Sequence, residues 1–138
     1  MKITKLFLLL IPFVLLGCSN QDPDHKVTEL KELQKLWTLA SIDGHPVSKG
    51  TTSTLHIDSK NKATGTLGCN LFFGTFKLEE NKAIIEKMGA TRRLCDEPSN
   101  KLESIVSMTL TTLSDIKVSE TQLIISDGNH SLKYTFKL

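Results

Sequence analysis

Three cysteines, four histidines and one adjacent pair of arginines are the side chains of this 138-residue chain whose chemistry could define a function. With Cys18 set aside for reasons given below, Cys69 and Cys95 remain as an even pair. A disulfide between them would close the loop 69–95 and, in a chain-entropy treatment, stabilise the fold by about 3.5 kcal/mol. Two buried thiols, or a nucleophilic cysteine, are the alternatives. A nucleophile needs a neighbouring base and a lowered pKa, and no Cys-His signature surrounds either residue. His25, His45, His56 and His130 share no ligand spacing with one another or with a cysteine, so neither a metal nor another cofactor is expected. Phosphate-binding, dinucleotide-binding, calcium-loop and serine-hydrolase motifs are absent from the sequence. Asp96 and Glu97 are adjacent acids that a turn sends apart into solvent. Arg92 and Arg93 are the one basic cluster able to meet an envelope phosphate or carboxylate. On a strand they would point to opposite faces, and Glu86, Asp96 and Glu97 compete for them as ion-pair partners.

The N-terminus carries an address. Lys2 and Lys5 precede an apolar run over residues 6–16, broken only by Pro12. A spanning helix needs roughly 20 apolar residues, so the run fits the shorter core of a secretory signal peptide. Its end, Leu15-Leu16-Gly17-Cys18, resembles the bacterial lipobox, where the cysteine is acylated and the peptide is cut in front of it. Each buried CH₂ contributes ~0.8 kcal/mol, so several acyl chains on Cys18 would anchor the protein firmly. The expected organisation is a signal peptide over 1–17, a flexible polar tether over 18–27 and one domain over 28–138. Ser19 stands where enteric lipoproteins retained in the inner membrane carry Asp. The expected location is therefore the outer membrane, facing the periplasm. Of 17 basic residues, Lys2 and Lys5 leave with the signal peptide, which balances the 15 acids. No basic stripe remains for nucleic acid.

The domain reads as mostly β. Thr28 can cap a short helix carrying Leu30, Leu33 and Leu36. From Trp37 the period changes to two, with Trp37 and Leu39, then Leu55 and Ile57, then Ala63, Gly65 and Leu67 on one face. Phe76 and Leu78, Ala83-Ile84-Ile85, and Leu123 to Ile125 continue the pattern. Leu132, Tyr134 and Phe136 follow the hairpin signal Asp127-Gly128. Leu102, Ile105, Val106, Leu110 and Leu113 recur at helical spacing, which predicts one main helix over about 99–113. Ser99 or Asn100 would cap it, and Asn100 with Glu103 has capping-box spacing. Trp37, Phe72, Phe73 and Phe76 are expected in the core. The expected fold is α+β: an antiparallel sheet or partial barrel with that helix packed on it.

Two stretches resemble the signature of a known family. Gly65-Thr66-Leu67-Gly68-Cys69-Asn70-Leu71-Phe72-Phe73-Gly74-Thr75-Phe76 and Met88-Gly89-Ala90-Thr91-Arg92-Arg93-Leu94-Cys95 are similar to the two motifs of the META domain family. That family includes heat-inducible envelope lipoproteins of the HslJ type. The opening from Trp37 to Val47 also fits, and the likeness runs over residues 37–138. Arg93 and Leu94 depart from the pattern, which tends there towards Met and Ala. The resemblance implies a compact β fold with one long helix, no known enzymatic activity, and an association with heat response and novobiocin tolerance. Gly65, Gly68, Gly74, Asn70 and Thr91 read as structural members of the motifs, with a ligand-facing loop as the alternative for the glycines and Asn70.

The leading expectation is a monomeric, non-enzymatic envelope protein with a binding or scaffolding role towards an envelope ligand or protein. An inhibitor of a secreted lysozyme or protease is the second reading, and a Cys69- or Cys95-dependent enzyme the third.

Overall fold

The computed structural model describes residues 28–137. The expected signal peptide 1–17, the acylation site Cys18, the tether 18–27 and the terminal Leu138 lie outside the described residues. The first element is a single turn, α1 (Leu30–Leu33), with Glu29 at its N-cap. Thr28 does not cap it. The Thr28 amide instead donates to Asn81 Oδ1 at 2.8 Å, in a distant turn. Leu33 is fully buried, whereas Leu36 already belongs to the next strand and points outward.

The strands follow in chain order: β1 (Leu36–Ile42), β2 (His45–Pro46), β3 (Thr54–Ile57), β4 (Lys62–Thr66), β5 (Leu71–Glu79) and β6 (Lys82–Ala90). Helix α2 (Glu97–Thr111) comes next, then β7 (Ser114–Val118), β8 (Gln122–Ser126) and β9 (Ser131–Thr135). Asp43 and Gly44 join β1 to β2 with φ of +52° and +80°. Two positive φ values in a two-residue turn match the right-handed twist of the paired strands.

Every strand pairs antiparallel with its neighbours, in the order β2-β1-β3-β4-β5-β6-β7-β8-β9. β1 also pairs with β9, Leu39 opposite Tyr134 and Ile42 opposite Leu132, so the sheet returns on itself. The result is a ring that stops short of a barrel. Its weak joint lies between β6 and β7, which meet only at Lys82–Asp115 and Ala83–Ser114. Helix α2 runs back along β6 through this opening and reaches β8 and β9. Its 15 residues span about 22 Å, close to the ~30 Å of the nine-residue β6.

The alternation predicted for the strands places Trp37, Leu55, Ile57, Phe76, Ile125 and Tyr134 inside the ring. Val106 and Leu110 of α2 close the core. Burying each such side chain contributes roughly 1.5–3 kcal/mol. Trp37 Nε1 donates to Leu33 O at 3.0 Å, which fastens α1 to the ring.

Other expectations need correction. Phe73 is not core: β5 puts Phe72 and Phe76 inward and Phe73 outward, 59% exposed. Leu67 lies past the end of β4, buried in the following turn. Helix α2 starts and ends two residues earlier than its apolar stripe suggests. Asp96 caps it by accepting from the Ser99 amide at 3.0 Å, and Asn100 donates to Cys95 O instead. At the other end the Ser114 hydroxyl donates to Thr109 O and Thr112 O, stopping the helix and leaving Leu113 exposed. Ser114 then begins β7, a strand that the helical stripe obscured.

Candidate functional site

The two motif stretches meet at one side chain. Asn70 sits in the turn between β4 and β5 and is 4% exposed. Its Oδ1 accepts from the Thr91 hydroxyl at 2.8 Å and from the Arg93 amide at 2.7 Å. Its Nδ2 donates to both carboxylate oxygens of Glu103, at 3.0 and 3.1 Å, and its own backbone N–H donates to Glu103 Oε2 at 3.0 Å. The Asn70 carbonyl accepts from the Leu67 amide, closing the turn. Thr91 Oγ1 in turn accepts from the Leu71 amide at 3.1 Å. A buried amide side chain is costly unless its donors and acceptors are satisfied. Here both ends of the side chain are satisfied.

The Cys69–Cys95 disulfide crosses the same place, with Cα atoms 6.3 Å apart. Gly68 adopts φ +135°, and a Cβ there would lie 2.6 Å from Leu102 of α2. Gly74 faces a bulge: Phe73 pairs with Gly89 and Thr75 with Glu86, so two residues of β6, Lys87 and Met88, oppose Gly74. Lys87 takes φ +52° to make the bulge. A Cβ on Gly74 would lie 2.5 Å from Ile85 Cγ2 and 3.0 Å from Glu86 O. Gly65 packs against the backbone carbonyl of Thr54. The motif residues thus knot the β4–β5 turn, the 91–96 loop and α2 into one unit. The spacing of Glu103 from Asn100 suggests a local capping box. Its partner is 33 residues away, and spacing along the chain carries no signal of that kind.

Arg92 and Arg93 lie in a loop and not on a strand, and both are exposed. Among the described residues neither guanidinium has an ion-pair partner. Glu86 pairs with Lys77 at 2.9 Å, and Asp96 is occupied as the helix cap. Leu94 beside them is fully exposed. The loop backbone is nevertheless held, by Thr91 N–H to Leu71 O at 3.0 Å, by Arg93 N–H to Asn70 and by the disulfide.

A family model for the META domain matches residues 28–137. This chain belongs to the META domain family. Two solved structures have a fold similar to this one. One, described as an NMR structure of a protein, has a TM-score of 0.68 at 23% identity and covers 80% of this chain and 95% of its own. The other, an NMR structure of a protein from Burkholderia xenovorans, has a TM-score of 0.62 at 21% identity and covers 82% of this chain and 94% of its own. Comparison with curated proteins gives no match.

Two recesses lie elsewhere on the META domain. An open groove of about 370 Å³ runs between the β1–β2 hairpin and α2, lined by Ile42, Val47, Pro98, Lys101, Leu102 and Ile105 among others. At its rim His130 Nδ1 and Asp43 Oδ2 are 2.8 Å apart, and the Ser131 amide donates to Asp43 Oδ1. The His130 hydrogen bond, with that amide, holds the Asp43 carboxyl below its ordinary pKa. This pair clamps the β1–β2 turn onto the start of β9. A smaller recess of about 260 Å³ lies outside β6, between Lys77, Ile84 and Leu113. Among the described residues no three His, Cys, Asp or Glu side chains converge as metal ligands, and no helix is long and apolar enough to cross a membrane.

Proposed function

We propose that this META domain is a non-enzymatic binding or scaffolding module of the bacterial envelope, held at the outer membrane by lipid on Cys18. The observation that carries the reading is the disposition of reactive groups. Asn70, Thr91 and Glu103 spend their polar atoms on one another, and the two thiols of the domain are joined to each other. What faces solvent around the motifs is cationic and apolar: Arg92, Arg93, Leu94, Leu71 and Phe73. That surface suits recognition better than bond making. The disulfide weighs against the cysteine-enzyme reading, because a joined sulfur is no nucleophile.

The role supports tolerance of heat or of antibiotics such as novobiocin, an expectation drawn from the family resemblance. A deletion strain complemented with wild type or with Cys18→Ala tests it. Wild type restores survival under heat and novobiocin, and Cys18→Ala, unable to take lipid, restores little. Unchanged survival of the deletion strain under both stresses would overturn the reading.

A further inference from the structure

The only two arginines among the 17 basic residues of this chain are adjacent, and both stand on the 91–96 loop. Two lysines on β5 and β6 pair with acids, Lys77 with Glu86 and Lys82 with Asp115. The two guanidiniums have no such partner among the described residues, although the backbone beneath them is fixed at both ends. Fixing a loop before binding removes part of the ordering cost that a partner must otherwise offset. Three of the six large apolar side chains most exposed in the domain lie on the same end: Leu94 in the loop, and Leu71 and Phe73 on the outward face of β5. At the loop's root the Thr91 amide donates to Leu71 O and the Leu71 amide to Thr91 Oγ1, and Phe73 lies over Gly89 one strand away.

We propose that Arg92, Arg93 and Leu94, with Leu71 and Phe73 beside them, form a docking surface for an acidic segment of a partner protein. This deepens the binding role proposed above and rests on it. Asp or Glu carboxylates would sit on the guanidinium forks, and an apolar side chain of the same segment would cover Leu71 and Phe73.

Three observations select this occupant. The planar fork of Arg matches a carboxylate in two hydrogen bonds, which the point charge of Lys does not. The chain has used Arg only here. The apolar neighbours would gain nothing from a bare ion, whereas arginine with aromatic and aliphatic side chains is the composition of protein interfaces. The loop also stands at the end of the domain away from the point where the tether joins it. Thr28, where the described domain begins, bonds to Asn81 in the β5–β6 turn, and the 91–96 loop lies at the other end of β6. Nine residues at ~3.3 Å separate the two ends by about 30 Å.

The test uses the full-length lipidated protein in its own cells, with a photo-crosslinking residue at position 94 or, as control at the opposite end, at 113. We expect a protein crosslinked from 94 and not from 113. A synthetic peptide of the crosslinked segment then binds the purified protein, and Arg92→Glu with Arg93→Glu weakens it at least tenfold, as does replacing the peptide's acids by amides. Leu94→Asp provides a second variant, and thermal melts establish that each variant is folded. A segment without acids, binding that survives charge reversal, or no crosslink from 94 overturns the proposal. So does attachment of the protein to phosphatidylcholine vesicles containing one quarter phosphatidylglycerol with loss on charge reversal. If the charge-reversed protein still restores stress survival while wild type does so too, the docking surface fails and the broader role stands. If wild type restores nothing, the broader role itself fails.

Discussion

The Glu103 carboxylate grips the Asn70 amide at 3.0 and 3.1 Å from 33 residues away in the chain, through a turn that is otherwise one short β connection. This contact makes α2 part of the motif unit. It also explains why a polar residue at position 70 can be almost fully buried.

Glu103→Ala should therefore cost about 1–3 kcal/mol, because it strands the Asn70 N–H donors away from water. Glu103→Gln keeps one acceptor and should cost less. Urea denaturation of both, in a double-mutant cycle with Asn70→Ala, should give a coupling of at least ~0.5 kcal/mol. Additive losses would mean that the two side chains do not act together.

Reduction of the Cys69–Cys95 bridge, or Cys69→Ser with Cys95→Ser, should lower stability by about 2–4 kcal/mol. Amide exchange should quicken over residues 91–96 before it does in β5. Equal unfolding midpoints with and without reductant would contradict this.

Gly74→Ala should destabilise by about 1–3 kcal/mol, since the added methyl meets Ile85 and the bulged backbone of β6. Gly128→Ala is the comparison. It has open space around it but a φ of +90°, so its cost comes from backbone conformation alone and should be the smaller. Thermal melting separates the two.

Acid should unfold the domain in a defined window. Asp43 is held below the ordinary aspartate value of 3.8 by His130 and the Ser131 amide. Asp58 is lowered by the Lys62 amide and Asp96 by Ser99. For Asp127 partial burial pulls upward, but the His130 and Asn129 amides outweigh it. A depressed folded-state pKa contributes stability above the unfolded value, and that contribution is lost as pH falls through the folded one. Stability should thus be flat with respect to these groups above about pH 5 and fall below about pH 4. Asp43→Asn should make the acid limb of a melting-temperature profile shallower. An unchanged limb would remove the Asp43 clamp from the account.

Tyr134 is fully buried, and its hydroxyl lies towards Ser53 without a hydrogen bond of good geometry. Burial pushes its pKa upward. Tyr134→Phe removes a polar atom that gains little, so stability should change by less than about 1 kcal/mol or rise. A loss of about 3 kcal/mol, the scale of a large core truncation, would show that the hydroxyl is bound after all.

Local features were legible in the chain alone: which face of β3 and β9 turns inward, where Asp-Gly turns the chain, and that an apolar stripe between Leu102 and Leu110 lies on one side of a helix. These follow from periods of two and 3.6, which each short segment writes without reference to the rest. The closure of β1 on β9, the inward face of β8, the placing of Phe73 outside the ring, the start of β7 at Ser114 and the turning of Glu103 towards Asn70 arise from long-range packing. Each of these depends on which distant segment lies across the sheet. Backbone hydrogen bonds pair any residues, and a buried amide accepts any well-placed carboxylate, so neither leaves a mark in the spacing of nearby side chains.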